Sequence, residues 1–188
     1  MILIINCGST KTPFIEELVD MHIAYTTIGI LDILNHDISA YKGIILSGAP
    51  LLITEIDMHE YLDSMQYIIS NNKPVFGICF GHQLLGLHFG SVGAKMNPDR
   101  DFREIEVYES CPLFDRLPNV FEMQEDHCES ISIAPNFVLV ASSDTCVNEA
   151  MMHVSLPYYG VQFHPEVSGN LGAIIIENFI IHCLNPSR

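Results

Sequence analysis

A chain of 188 residues, 48% hydrophobic and only 16% charged, is long enough to bury one core of its own and too apolar for a disordered or fibrous class. Eight Lys and Arg against 23 Asp and Glu give a formal charge of −15, which repels phosphate backbones and anionic lipid and disfavours nucleic-acid and membrane partners. Six cysteines without a C-x-x-C pair, behind an opening too short for a secretory leader, point to a reducing, cytoplasmic setting rather than a disulfide framework.

The opening "MILIIN" is a continuous apolar run of strand length that ends in the turn-like "CGST". "TPFIEELVDMH" predicts a helix with Pro13 in its first turn. "IAYTTIGI" and "YKGIILSGAP" predict two more strands, the second stopped by Gly48 and Pro50; the short polar "DILNHDISA" between them is left unassigned. In "IDMHEYLDSMQYIISNN", Met58, Tyr61, Leu62, Met65, Ile68 and Ile69 recur at helical spacing, the pattern of core packing. "KPVFGIC" then predicts a strand and "GHQLLGLHFG" a helix closing at Gly90. Past residue 100 the character changes, and "REIEVYES", "NVFEMQ", "FVLVASSD" and "YYGVQFH" predict short strands before a last helix, "NLGAIIIENFIIHCL", which ends before Pro186. Fully apolar strands alternating with helices indicate an α/β domain with a mostly parallel central sheet covered on both faces. No repeat, linker or domain break interrupts residues 1–188.

Cys79 stands between Gly77 and Gly81 at the junction of a predicted strand and a predicted helix. This is the pattern of a nucleophile elbow, in which small flanking residues relieve crowding at an abrupt turn. The following helix directs N–H groups toward the sulfur, and the N–H of Phe80 is placed to donate to an oxyanion. A base is supplied best by "VQFHPEV": strand alternation puts Gln162, His164 and Glu166 on one face, so that Glu166 orients His164 toward the thiol. The remaining histidines lie in no such pattern. Neither H-E-x-x-H nor a cysteine–histidine zinc spacing occurs, so neither metal nor cofactor is expected.

"GICFGHQLLGLHFG", with "YYGVQFHPEV" downstream and "GIILSGAP" upstream, resembles the class I glutamine amidotransferase domain over the whole chain. The resemblance implies a flavodoxin-like three-layer fold and hydrolysis of L-glutamine to glutamate and ammonia through a thioester. It implies Cys79 as nucleophile, His164 as general base and acid, Glu166 as its orienter, and Gln83 as a residue that helps hold substrate. The residue before the proline of "SGAP" would give the second oxyanion N–H, beside Gly48. The family usually has glycine there, and Ala49 raises the question of a positive φ, which alanine resists.

"EDHCESI" and "ASSDTCVNEAMMH" resemble the GMP synthetase amidotransferase type, whose segments read roughly S-H-x-D-x-V and S-D-x-x-x-x-E-A-M-x-H. Asp126 stands at the family serine and Glu129 at its aspartate; by position Asp126, His127 and Cys128 line the glutamine pocket. That resemblance implies a separate ammonia-accepting synthetase subunit of the ATP pyrophosphatase type, and purine biosynthesis as the setting. Two other readings stay open: a stand-alone γ-glutamyl hydrolase acting on another γ-glutamyl compound, and a non-catalytic binding or regulatory relative.

Overall fold

The structure is a computed structural model that describes residues 1–185. Strands β1 (Ile2–Asn6), β2 (Tyr25–Gly29), β3 (Gly43–Leu46), β4 (Val75–Ile78) and β11 (Tyr158–Val161) lie side by side in the order β2-β1-β3-β4-β11, all parallel. Beyond β11 the same sheet continues antiparallel through β10 (Ala150–His153), β9 (Phe137–Ser142), β6 (Phe102–Val107) and β7 (Val120–Gln124). A separate two-stranded ladder pairs β5 (Gly93–Asp99) with β8 (His127–Ile131). The parallel half is the flavodoxin-like part, and its strand order reverses at β1.

The apolar runs are explained by the two cores. Along β1, Ile2 and Ile4 join one cluster while Leu3 and Ile5 join the other, because successive side chains leave the sheet on opposite faces. The first face is covered by α1 (Thr12–Asp20) and α4 (Gly169–Leu184), which supply Ile15, Val19, Ile175, Ile176, Phe179 and Ile180. The second is covered by α2 (His59–Ser70) and α3 (Phe80–His88), with Met65, Ile68, Leu84 and Leu85 pointing inward. Each such side chain, fully buried, contributes roughly 1.5–3 kcal/mol. A strand covered on both faces has no need of polar alternation, so β1 and β3 read as unbroken hydrophobic runs.

Several expectations change. "DILNHDISA" contains a short 3-10 turn, Ile30–Asn35, that buries Ile30 and Ile33. β5, β8 and β10 lie where no strand was expected: "GAKMNPD" and "HCESI" mix polar and apolar residues because their ladder is open to solvent on one side. α3 begins at Phe80 rather than Gly81. β11 stops at Val161, so Gln162, His164 and Glu166 do not share a strand; Pro165 opens a single 3-10 turn, Pro165–Val167, and His164 caps it. The Pro186 expected to stop α4 lies outside the described residues. No helix among the described residues is long and apolar enough to cross a membrane.

Candidate active site

The carboxyl ends of β1, β3, β4 and β11 converge on one pocket of about 440 Å³, the position favoured for ligands in open α/β sheets. Cys79 follows β4 directly, with φ 50° and ψ −106°, a conformation rare for any residue with a side chain. Its N–H donates to Val161 O at 2.8 Å, and its carbonyl accepts from the Gln83 N–H at 2.9 Å. The turn is tight enough that a Cβ at Gly77 would stand 2.4 Å from Gly81 O, and one at Gly81 would stand 2.6 Å from Leu46 O. The flanking glycines are thus required by backbone approach, and the strain at Cys79 is held by the strand before it and the helix after it.

His164 and Glu166 meet without a shared strand. The 3-10 turn brings the Glu166 carboxylate to 2.8 Å from His164 Nδ1, and both side chains are buried. A carboxylate only accepts, so Nδ1 carries the proton and Nε2 is left for the sulfur. Burial opposes a charged imidazole, but the Cys79 thiolate, the hydrogen bond to it and Glu166 outweigh burial and lift His164 to about 10. The His164 N–H donates to Gln124 O at 2.9 Å, and Ser168 Oγ donates to His164 O at 2.6 Å, fixing the backbone as well.

The other expected residues are placed unevenly. Ala49 lines the pocket with Cys79, Gln83 and His164. Among the described residues, the non-glycine ones with positive φ are Asn72, Cys79, Arg116 and Asn136, so Ala49 does not adopt the left-handed conformation and the concern over its side chain falls away. Gly48 sits behind the histidine: a Cβ there would lie 3.1 Å from His164 Cε1. The Phe80 ring turns into the core against Tyr61, leaving only its backbone at the elbow. Gln83 donates to Glu129 O and to Gln162 Oε1, both at 3.0 Å, and Gln162 Nε2 lies 3.5 Å from Cys79 Sγ. A chain of amides therefore ties the far wall of the pocket to the thiol.

Asp126, His127 and Cys128 all line the pocket. Asp126 stands at the mouth, 2.5 Å from Lys11 Nζ and 3.6 Å from Arg100 Nε. Partial burial would raise its pKa, but Lys11, followed by His164 and Arg100, holds it below the usual carboxylate range. Sequence reasoning placed Gln162 on the catalytic face without giving it a role. It missed Lys11, Arg100, Ser9 and Thr10, which come from the loop after β1 and the β5–β6 turn. His127 on the pocket wall is brought together with Glu125 and Glu149, and all three are buried.

Fold and site together define the class: an α/β domain with a strained cysteine at the end of a parallel strand, in one pocket with a buried histidine–glutamate pair. The family described as glutamine amidotransferase class-I matches residues 3–183. The chain belongs to the class-I glutamine amidotransferase family. It is 41% identical over 145 residues, 76% of each chain, to the A subunit of the glutamine-hydrolysing GMP synthase of Pyrococcus furiosus. It is 32% identical to the GMP synthase of Vibrio parahaemolyticus over 186 residues, 96% of this chain and 35% of that one. A crystal structure of a putative GMP synthase A subunit from Thermoplasma acidophilum superposes with a TM-score of 0.89 at 31% identity, covering 98% of this chain and 94% of that one.

Proposed function

We propose that this chain is the glutamine-hydrolysing subunit of a two-subunit GMP synthase, acting in the cytoplasm and passing ammonia to a separate synthetase subunit of the ATP pyrophosphatase type. The observation that carries this is the Cys79–His164–Glu166 constellation at the end of β4, in a chain whose relatives of similar length are GMP synthase A subunits. The Cys79 thiolate attacks the side-chain carbonyl carbon of glutamine, and the backbone N–H groups of Phe80 and Ala49 receive the developing oxyanion. As the tetrahedral intermediate collapses, the C–N bond breaks and His164 gives its proton to the leaving nitrogen, releasing ammonia. His164 then takes a proton from water, which attacks the γ-glutamyl thioester; glutamate leaves and the thiolate is restored. Glu166 holds the imidazole in the required tautomer throughout. Gln83 and the 126–128 segment frame the substrate.

The test is labelling of the purified chain with the glutamine-mimicking electrophile diazo-oxo-norleucine, read by mass spectrometry with and without competing glutamine. One adduct on Cys79, blocked by glutamine, is expected. An adduct that glutamine does not block would favour a different γ-glutamyl substrate, and an adduct on another residue would remove the mechanism.

A further inference from the structure

At the pocket wall, three buried side chains from two segments face one another: Glu125, between β7 and β8; His127, at the start of β8; and Glu149, just before β10. One ligand atom from each lies within 4.8 Å of the others. Glu125 and Glu149 are both 0% exposed, and His127 is 7% exposed.

Their polar atoms are left without partners on the side where they converge. His127 Nδ1 lies 3.0 Å from the carbonyl of Glu129, which can only accept, so Nδ1 carries a proton and Nε2 is the nitrogen turned inward, able to offer its lone pair when the imidazole is neutral. Nε2 sits 3.2 Å from Glu125 Oε2 without making a hydrogen bond. Both oxygens of Glu125 and Oε2 of Glu149 are likewise unpartnered, while Glu149 Oε1 accepts from Ser143 Oγ at 2.6 Å. Burying two carboxylates with three of their four oxygens unsatisfied costs several kcal/mol, and a group that satisfies these atoms at once removes that cost.

We propose that Glu125, His127 and Glu149 bind one divalent cation of the zinc type. One imidazole nitrogen with two carboxylates is a donor set that suits zinc, and the +2 charge leaves the buried cluster neutral. The bond from Nδ1 to a backbone carbonyl and the bond from Ser143 to Glu149 are the outer contacts that orient metal ligands. Ligand atoms about 2.1 Å from a tetrahedral zinc lie roughly 3.4 Å apart, so a pair at the 4.8 Å limit closes by about 1.4 Å. The absence of a zinc spacing in the sequence does not bear on this site, because its donors come from two distant segments.

The position gives the cation a purpose. The N–H of His164 donates to the carbonyl of Gln124, next to Glu125, and the N–H of Gln162 donates to the carbonyl of Glu149. A cation joining Glu125 and Glu149 therefore clamps the two segments that hold the catalytic histidine's backbone. It does not touch the reacting atoms.

The experiment uses the full chain carrying Cys79→Ser, so that capture of metal by the nucleophile is not counted. After chelation the protein is dialysed against zinc chloride, and bound metal is read by elemental analysis and thermal unfolding. One equivalent retained, with a raised Tm, is expected. Glu125→Gln and Glu149→Gln, which keep the side-chain shape, should each weaken retention by at least about tenfold and abolish the Tm rise. Circular dichroism checks that each is folded, and either folded variant alone decides the matter. No retained zinc, as in a cluster that shares a proton between the two glutamates, overturns the proposal. So does retention that neither substitution changes.

Discussion

At the scale of single residues, the proposed chemistry rests on Cys79, His164 and Glu166. Cys79→Ala removes the nucleophile, and glutamine-dependent glutamate release should fall to background; wild-type turnover in that variant would sink the mechanism. Glu166→Gln leaves the shape but loses the charge that holds the imidazole, and kcat should drop by roughly a thousandfold or more. The His164 imidazole, raised from 6.5 to about 10, should titrate near the upper value in NMR of labelled protein. Its folded-state pKa lies above its unfolded one, so its contribution to stability is complete below about pH 6.5 and is lost as the pH climbs through about 10. In Cys79→Ser the leading favourable partner disappears and the midpoint should shift down; an unmoved midpoint would show that the thiolate is not its cause. Ala49→Gly, at a residue with no positive φ, should leave activity unchanged and cost about 0.4–1 kcal/mol through the unfolded chain.

At the scale of elements, the elbow is a packing device as much as a catalytic one. Gly77→Ala would drive a Cβ into the backbone of Gly81, and chemical denaturation should show a loss of about 1–3 kcal/mol even with Cys79 intact. An unchanged denaturation midpoint would mean that β4 and α3 can separate without cost. The sequence announced this junction clearly, because a buried structural thiol after an apolar strand has no need of a glycine on either side. It misread the histidine segment for an equally specific reason: alternation along a strand and a single turn around Pro165 both bring His164 and Glu166 together, and only backbone geometry separates them. The strands β5 and β8 were hidden because a ladder open on one side carries exposed polar residues such as Lys95 and Asn97. The buried cluster was invisible for want of any local spacing; Glu125 and Glu149 meet only through the fold.

At the scale of the whole molecule, charge is the dominant property. A formal charge of −15 spread over 188 residues opposes compaction, while Lys11 and Arg100 sit together at the pocket mouth. Raising ionic strength from very low to physiological should therefore raise Tm, with sodium and potassium chloride acting alike, since screening does not depend on the cation. A fall in Tm would mean that ion pairs such as Lys11–Asp126 outweigh the general repulsion. The parallel half of the sheet was legible from its apolar runs. The antiparallel extension was only partly so, because its strands are short and joined by turns that leave the order β11-β10-β9-β6-β7 undetermined until they pair.

The placement of Cys79 carries a last consequence. Its backbone is strained, yet β4 lies between β3 and β11 in the interior of the sheet, with no free edge beside it. A strained loop at a rim could relax by local fraying and lose its reactivity while the rest of the molecule stayed intact. Here the strain can be released only by parting strands that also hold both cores, so the thiol cannot wear out ahead of the fold. Heat inactivation and loss of tertiary structure should be one event, with the activity curve and the unfolding curve superimposed.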